Sequence, residues 1–110
     1  MEKILHKELA GGRWSKLSLV EQLANIGSEV GRARKWQGRD ENIFWGAVER
    51  ALELFNLTLE DRRWRRRLKE INRMREIFCD AVFGGKEYNT LFRDLDRYFL
   101  FFAIAVKLYR

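Results

Sequence analysis

The sequence has no proline, one cysteine, one histidine and no long apolar run. Without proline nothing removes a backbone donor from a long helix, and the β-branched residues are too scattered to alternate as strands. An all-α fold is expected. The single cysteine, Cys79, has no partner for an internal disulfide. Its sequence neighbours Ile77, Phe78, Ala81 and Val82 mark it as a small core residue rather than a nucleophile. With His6 the only histidine, and close to a terminus, neither a Ser/His/Asp or Cys/His arrangement nor a two-histidine metal site is expected. No catalytic residue, metal site or cofactor is therefore assigned. The longest apolar stretch, Tyr98 to Val106, has nine residues, well short of the roughly 18–20 that a membrane span needs. The N-terminal MEKILHKELAGG has no signal-peptide core, so a cytoplasmic location is expected.

The chain has 110 residues, 46% of them hydrophobic and 35% charged. That length suits one domain, and the composition is too apolar for a disordered tail. Residues 1–110 are read as a single helical-bundle domain. The formal net charge is +6, yet the segment from Arg62 to Arg75 alone holds eight basic residues and one acid, Glu70. All of the positive excess sits in those 14 residues, and the rest of the chain is close to neutral.

Helix breaks are expected at Gly11-Gly12, around Gly38, near Thr58 to Asp61 and at Gly84-Gly85. They divide the chain into a short N-terminal helix, about Glu2 to Ala10, and four long ones. Ser18-Leu19-Val20-Glu21 has capping-box spacing and starts a helix to about Trp36, with core stripe Leu19, Leu23, Ile26, Val30 and Ala33. Gly27 and Gly31 lie beside that stripe, where missing side chains allow a neighbouring backbone to cross closely. Asp40 is the expected N-cap of a helix over about 41–57, with Phe44, Ala47, Val48, Ala51, Leu54 and Phe55 inward. The next helix is expected from Thr58 or Asp61 to Phe83, with Trp64, Leu68, Ile71, Phe78 and Val82 on its seam. The last is expected from Asn89 or Thr90, with Leu91, Leu95, Tyr98 and Phe99 inward. Short connections make an antiparallel bundle the simplest packing.

From Tyr98 to Val106 apolar side chains point in every direction around the helix axis, which calls for cover on all sides. Leu100, Phe101, Ile104 and Leu108 fall opposite the core stripe, so a second subunit and a homodimer are expected, with cover by the N-terminal helix as the alternative. Trp45 and Leu52 form a smaller off-core pair that would extend such an interface.

The run Arg62-Arg63-Trp64-Arg65-Arg66-Arg67, with Lys69 and Arg73, is the main candidate for chemistry. On a continuous α-helix Arg62, Arg66, Lys69 and Arg73 would form one row. Such a row suits a phosphate backbone, because neutralising phosphates releases counterions and arginine forks match their oxygens. Arg62, Arg63, Arg65, Arg66, Lys69 and Arg73 are the expected anion or nucleic-acid site. Trp64 and Trp36 could stack on unpaired bases, although Trp64 lies in register with the core. The alternative for the arginines is a solvated face paired with acids such as Glu49, Glu53 and Glu60. Arg67 and Arg75 fall near the inward side, where a guanidinium needs a carboxylate. They are candidates for buried ion pairs, Arg75 with Glu29, Asp94 or Asp96, or else Arg75 faces a cleft that binds an anion. Arg34, near a helix C-terminus, is favoured there by the dipole. Glu49 with Glu53 and Glu76 with Asp80 stand one turn apart, but the E-x-x-E pattern of the all-α nucleotide pyrophosphohydrolases is missing.

The bundle is similar in architecture to HEPN proteins, many of them RNases whose active members place a histidine four to six residues after an arginine. No histidine follows the arginines here, so that likeness stops at shape. The runs Leu23-Ala24-Asn25-Ile26-Gly27-Ser28-Glu29-Val30, Arg50-Ala51-Leu52-Glu53-Leu54, Leu57-Thr58, Arg67-Leu68-Lys69-Glu70 and Arg73-Met74-Arg75-Glu76 resemble a group of small all-helical prokaryotic proteins with no established activity. That resemblance implies a cytoplasmic prokaryotic protein and no reaction. The function expected from the residues is a non-catalytic module that binds an anionic partner, RNA or DNA backbone. The alternative is a homo-oligomeric interaction or regulatory module that docks an acidic protein.

Overall fold

Four long helices and no strand make up residues 12–84 and 89–109, the part of the chain described by the computed structural model. Helix α1 is Leu19–Trp36, α2 Glu41–Leu59, α3 Leu68–Phe83 and α4 Asn89–Tyr109. A 3-10 turn, Trp14–Lys16, precedes α1, and a 3-10 segment, Arg62–Arg67, precedes α3. The short helix expected over Glu2 to Ala10 lies outside the described residues. The helix starts follow their caps. The Ser18 hydroxyl accepts from the Glu21 N–H at 3.1 Å, and the Glu21 carboxylate accepts from the Ser18 N–H at 3.0 Å, which satisfies two amides that an uncapped helix leaves unpaired. Asp40 accepts from the Ile43 N–H at 3.1 Å to start α2. Between α1 and α2 the chain turns through Gly38 at φ +77°, a left-handed conformation that a side chain would strain.

Helix α1 packs against α2 and α4, and α3 packs against the same two. The stripes expected on α1 and α2 are buried residue for residue, with Gln22 and Thr58 added to them. Phe55 joins α2 to α3 through Phe78, ring centroids 6.0 Å apart, and to α4 through Phe99 at 6.1 Å. All three rings are essentially inaccessible to water, and each such burial stabilises the fold by about 1.5–3 kcal/mol. On α4 the buried stripe is Phe92, Leu95 and Phe99, while Leu91 is half-buried and Tyr98 is 40% exposed. The expected inward set on this helix therefore shifts by part of a turn. Phe92 and Phe99, seven residues apart, share one face, and that face meets Phe78 and Phe55.

The glycine pair on α1 is where α4 crosses. A Cβ placed on Gly27 would lie 2.6 Å from the Phe99 Cβ, and one on Gly31 would lie 3.1 Å from an Asp96 carboxylate oxygen. Neither glycine is a good helix former, so the close approach explains why they sit mid-helix.

The helix expected to run unbroken to Phe83 from Thr58 or Asp61 does not do so. Asp61 caps the segment, accepting from the Arg63 N–H at 3.1 Å, but residues 62–67 take 3-10 turns with a kink at Trp64 (φ −102°, ψ 19°). Arg67 (φ −110°, ψ 9°) then precedes the regular helix α3. Five cations in one opening turn repel each other at i, i+4 and face the positive end of the helix dipole. In the observed segment the Trp64 indole points to α1, where it donates to Gln22.

Candidate anion-binding face

The arginine-rich segment is held by a buried polar cluster. Gln22, 0% exposed, donates its amide N–H groups to the Trp14 carbonyl at 2.9 Å and to Asp61 Oδ2 at 3.0 Å. Its carbonyl accepts from the Trp64 indole at 2.9 Å. The Trp14 indole donates to the Thr58 hydroxyl at 3.2 Å. One glutamine thus ties the turn before α1, the end of α2 and the 3-10 segment together, and its amide is fully used as burial requires. The hydrogen bond from Arg63, aided by Gln22 and opposed by partial burial, holds the Asp61 carboxyl at about 2, below the ordinary 3.8.

Arg63 belongs to this cluster rather than to a ligand site. Its guanidinium donates to Asp61 at 2.7 and 3.0 Å and to the Leu17 carbonyl at 2.7 Å, and it lies 4.4 Å over the Trp64 ring. With Nε and Nη2 engaged, Arg63 differs from the other residues of the expected anion-binding set in having an acidic partner. Trp64 is half-buried and packs on the core, so its indole N–H and ring are already occupied.

Arg62, Arg65, Arg66, Lys69 and Arg73 are exposed, and none has a salt-bridge partner among the described residues. They do not form the straight row expected of one helix. Arg62 to Arg66 follow a three-residue repeat, in which residues i and i+3 eclipse, whereas Lys69 and Arg73 are one α-helical turn apart on α3. The set is interrupted where the backbone leaves helical geometry, at Trp64 and Arg67. Glu49 and Glu60, two of the acids expected to neutralise these arginines, make no salt bridge to them.

The expected buried ion pairs also change. Arg67 does pair, with Glu70 at 2.8 Å, but both side chains are more than 40% exposed. The kink ahead of α3 turns it outward. Arg75 is half-buried and donates to the Asn56 side-chain oxygen at 3.2 Å, so its partner is a neutral amide and not a carboxylate. The acids expected for it are taken elsewhere: Glu29 lies 3.4 Å from Arg50, Asp96 3.0 Å from Arg34, and Asp94 4.0 Å from Arg93.

On α4, Leu100, Phe101, Ile104 and Leu108 are 44–70% exposed. Trp45 stacks on the exposed Phe83 at 5.7 Å, and Leu52 packs on the core. Among the described residues no three His, Cys, Asp or Glu side chains converge as a metal site would require, and no helix is long and apolar enough to cross a membrane.

Sequence reasoning missed Gln22, Trp14 and Thr58. The signal was present in part, since Gln22 lies on the inward side of α1 beside Leu19 and Ile26. Two of its three partners, Asp61 and Trp64, are 39 and 42 residues away in the chain, and spacing alone does not reveal them. Comparison with known proteins adds no relative: no family model, no curated protein and no solved structure matches this chain.

Proposed function

We propose that this chain is a non-catalytic cytoplasmic module that binds a polyanion, RNA or DNA backbone, through Arg62, Arg65, Arg66, Lys69 and Arg73. One observation carries the reading. Five exposed cations within twelve residues have no acidic partner among the described residues, while Arg34, Arg50, Arg63 and Arg67 each have one. Guanidinium groups left open at the surface are free to fork onto phosphate oxygens. The helices are read as antiparallel, which agrees with Gly27 meeting Phe99 while Arg34 meets Asp96. That packing would hold the patch on a rigid frame.

Replacement of Arg62, Arg66 and Arg73 together by glutamine tests the reading by fluorescence anisotropy with a labelled oligonucleotide. If all five cations engage phosphates, the slope of log K against log[salt] is roughly −3.5 to −4.5, and the triple variant loses about 2–3 of that slope. An unchanged slope and affinity in a folded triple variant would overturn it.

A second reading has its own observation, the exposed apolar face of α4. We propose that Leu100, Phe101, Ile104 and Leu108 pair with the same face of a second copy about a two-fold axis. Light scattering should then give the mass of a dimer, and Phe101→Glu should give a folded monomer. A monomeric wild-type protein at micromolar concentration rejects this pairing.

A further inference from the structure

Between α3 and α4 runs an open apolar groove of about 320 Å³, lined by Arg73, Met74, Ile77, Leu91, Leu95 and Tyr98. Its size falls in the range of about 300–1,000 Å³ typical of sites that hold small organic groups. It is set directly against the cationic patch. Arg73 belongs to both, and Lys69 stands one turn before Arg73 on α3. Two carboxylates also reach the groove, Glu70 and Asp94. Glu70 is paired with Arg67 at 2.8 Å, and Asp94 lies 4.0 Å from Arg93. Of the groove's charged side chains Glu70 is held by Arg67, Asp94 is only loosely placed against Arg93 and exposed, and Arg73 is the cation without a salt-bridge partner among the described residues. Tyr98, 40% exposed, lines the same groove. Its ring is braced edge-on by Phe102 at 5.3 Å and by Phe99 at 5.9 Å. Burial and the nearby Glu70 raise the Tyr98 hydroxyl above its ordinary value, with Arg67 acting in the opposite sense, so the end of the arginine segment reaches this ring electrostatically.

An apolar trough, an aromatic ring held in place and an unpaired arginine beside it match one class of ligand. We infer that the α3–α4 groove receives an unpaired base of a single-stranded nucleic acid, stacked against Tyr98, while Arg73 and Lys69 hold the adjoining phosphates. This inference rests on the polyanion reading and specifies it. In a duplex the bases are already stacked and paired, so only the phosphates would be available to the patch. A single strand offers both charge and aromatic faces, and the two contributions add.

The test uses the full chain with a labelled single-stranded oligonucleotide and a duplex, at two salt concentrations, for wild type and Tyr98→Leu. Loss of a stacked base on alanine substitution costs about 1–3 kcal/mol, which corresponds to roughly 5- to 150-fold in affinity. Leucine keeps the groove apolar, so a loss of about tenfold for the single strand is expected, with duplex binding and the salt slope unchanged. Retained duplex binding and an unaltered circular dichroism melt show that the variant is folded. A single strand carrying 2-aminopurine supplies a measurement on the wild type alone, where entry of the base into the groove should change its fluorescence. Single strand and duplex bound alike, with no effect of Tyr98→Leu and no 2-aminopurine signal, would overturn the groove assignment and leave the polyanion reading standing. Absence of binding to both at low salt would overturn the two together. A change of oligomeric state in Tyr98→Leu with single-strand affinity intact would give the groove to a second copy instead.

Discussion

Alanine at Gly27 and alanine at Gly46 should move the stability of this fold in opposite directions. Both positions are inside helices, α1 and α2, where replacing glycine by alanine gains about 0.8–1 kcal/mol of helix propensity. At Gly46 the new Cβ meets only the Arg50 guanidinium, at 3.6 Å or more. That group is the flexible end of a long side chain, so most of the gain is kept and the variant should be about 0.5–1 kcal/mol more stable. At Gly27 the new Cβ would fall 2.6 Å from the Phe99 Cβ. Carbon atoms in contact prefer about 3.5–4.0 Å, so α1 and α4 must separate by about 1 Å. The obstacle is a Cβ fixed to the α4 backbone, which cannot rotate away, and Phe99 is 1% exposed in the core. Overpacking of this kind costs about 1–3 kcal/mol. After the propensity gain, Gly27→Ala should be destabilised by up to about 2 kcal/mol. Thermal melts followed by circular dichroism read the difference, at about 4–8 °C per kcal/mol for domains near this size. A Gly27→Ala protein that melts above wild type, level with Gly46→Ala, would refute the close crossing of α1 and α4.

Two further outcomes follow from the Gln22 cluster. Gln22→Leu keeps the volume but leaves the Trp64 indole N–H without its acceptor and takes one donor from Asp61 and one from the Trp14 carbonyl, which keeps the Leu17 N–H. It should cost about 2–3 kcal/mol, seen as a lower urea midpoint at an unchanged m-value, and a loss below about 0.5 kcal/mol would contradict the cluster. Asp61 carries a pH signature. Its carboxyl is held at about 2 against an ordinary 3.8, so the stability it contributes is fully present above pH 3.8 and is lost as the pH falls toward 2. Asp61→Asn should be less stable than wild type at pH 7, and the gap should narrow on acidification through that window. A gap that stays constant between pH 7 and pH 2.5 would show that the Asp61–Arg63 pair is not formed.

The helices of this protein were legible without any structure because their signals are local. Capping at Ser18 and Asp40 depends on a side chain meeting an amide three residues on, and the stripes on α1 and α2 depend only on the 3.6-residue repeat. The glycines at 27 and 31 were equally readable, as gaps in a helix face that another backbone must fill, although the identity of that backbone was not. The position of the surplus charge, Arg62 to Arg75, was also plain from the sequence.

Tertiary structure decided how that charge is presented. Residues 62–67 take 3-10 turns with Trp64 bonded to Gln22, 42 residues earlier in the chain, and no spacing rule contains that contact. The same holds for which arginines stay open. Arg63 is closed by Asp61 and the Leu17 carbonyl, and Arg75 turns to Asn56, because a guanidinium takes whichever acceptor the packing brings within reach. Sequence determined where α1 and α2 run and where the cations are, since both are fixed by near neighbours along the chain. Only the packed bundle decided which cations face water unpaired and which apolar groove lies beside them, since those are properties of surfaces brought together from distant segments.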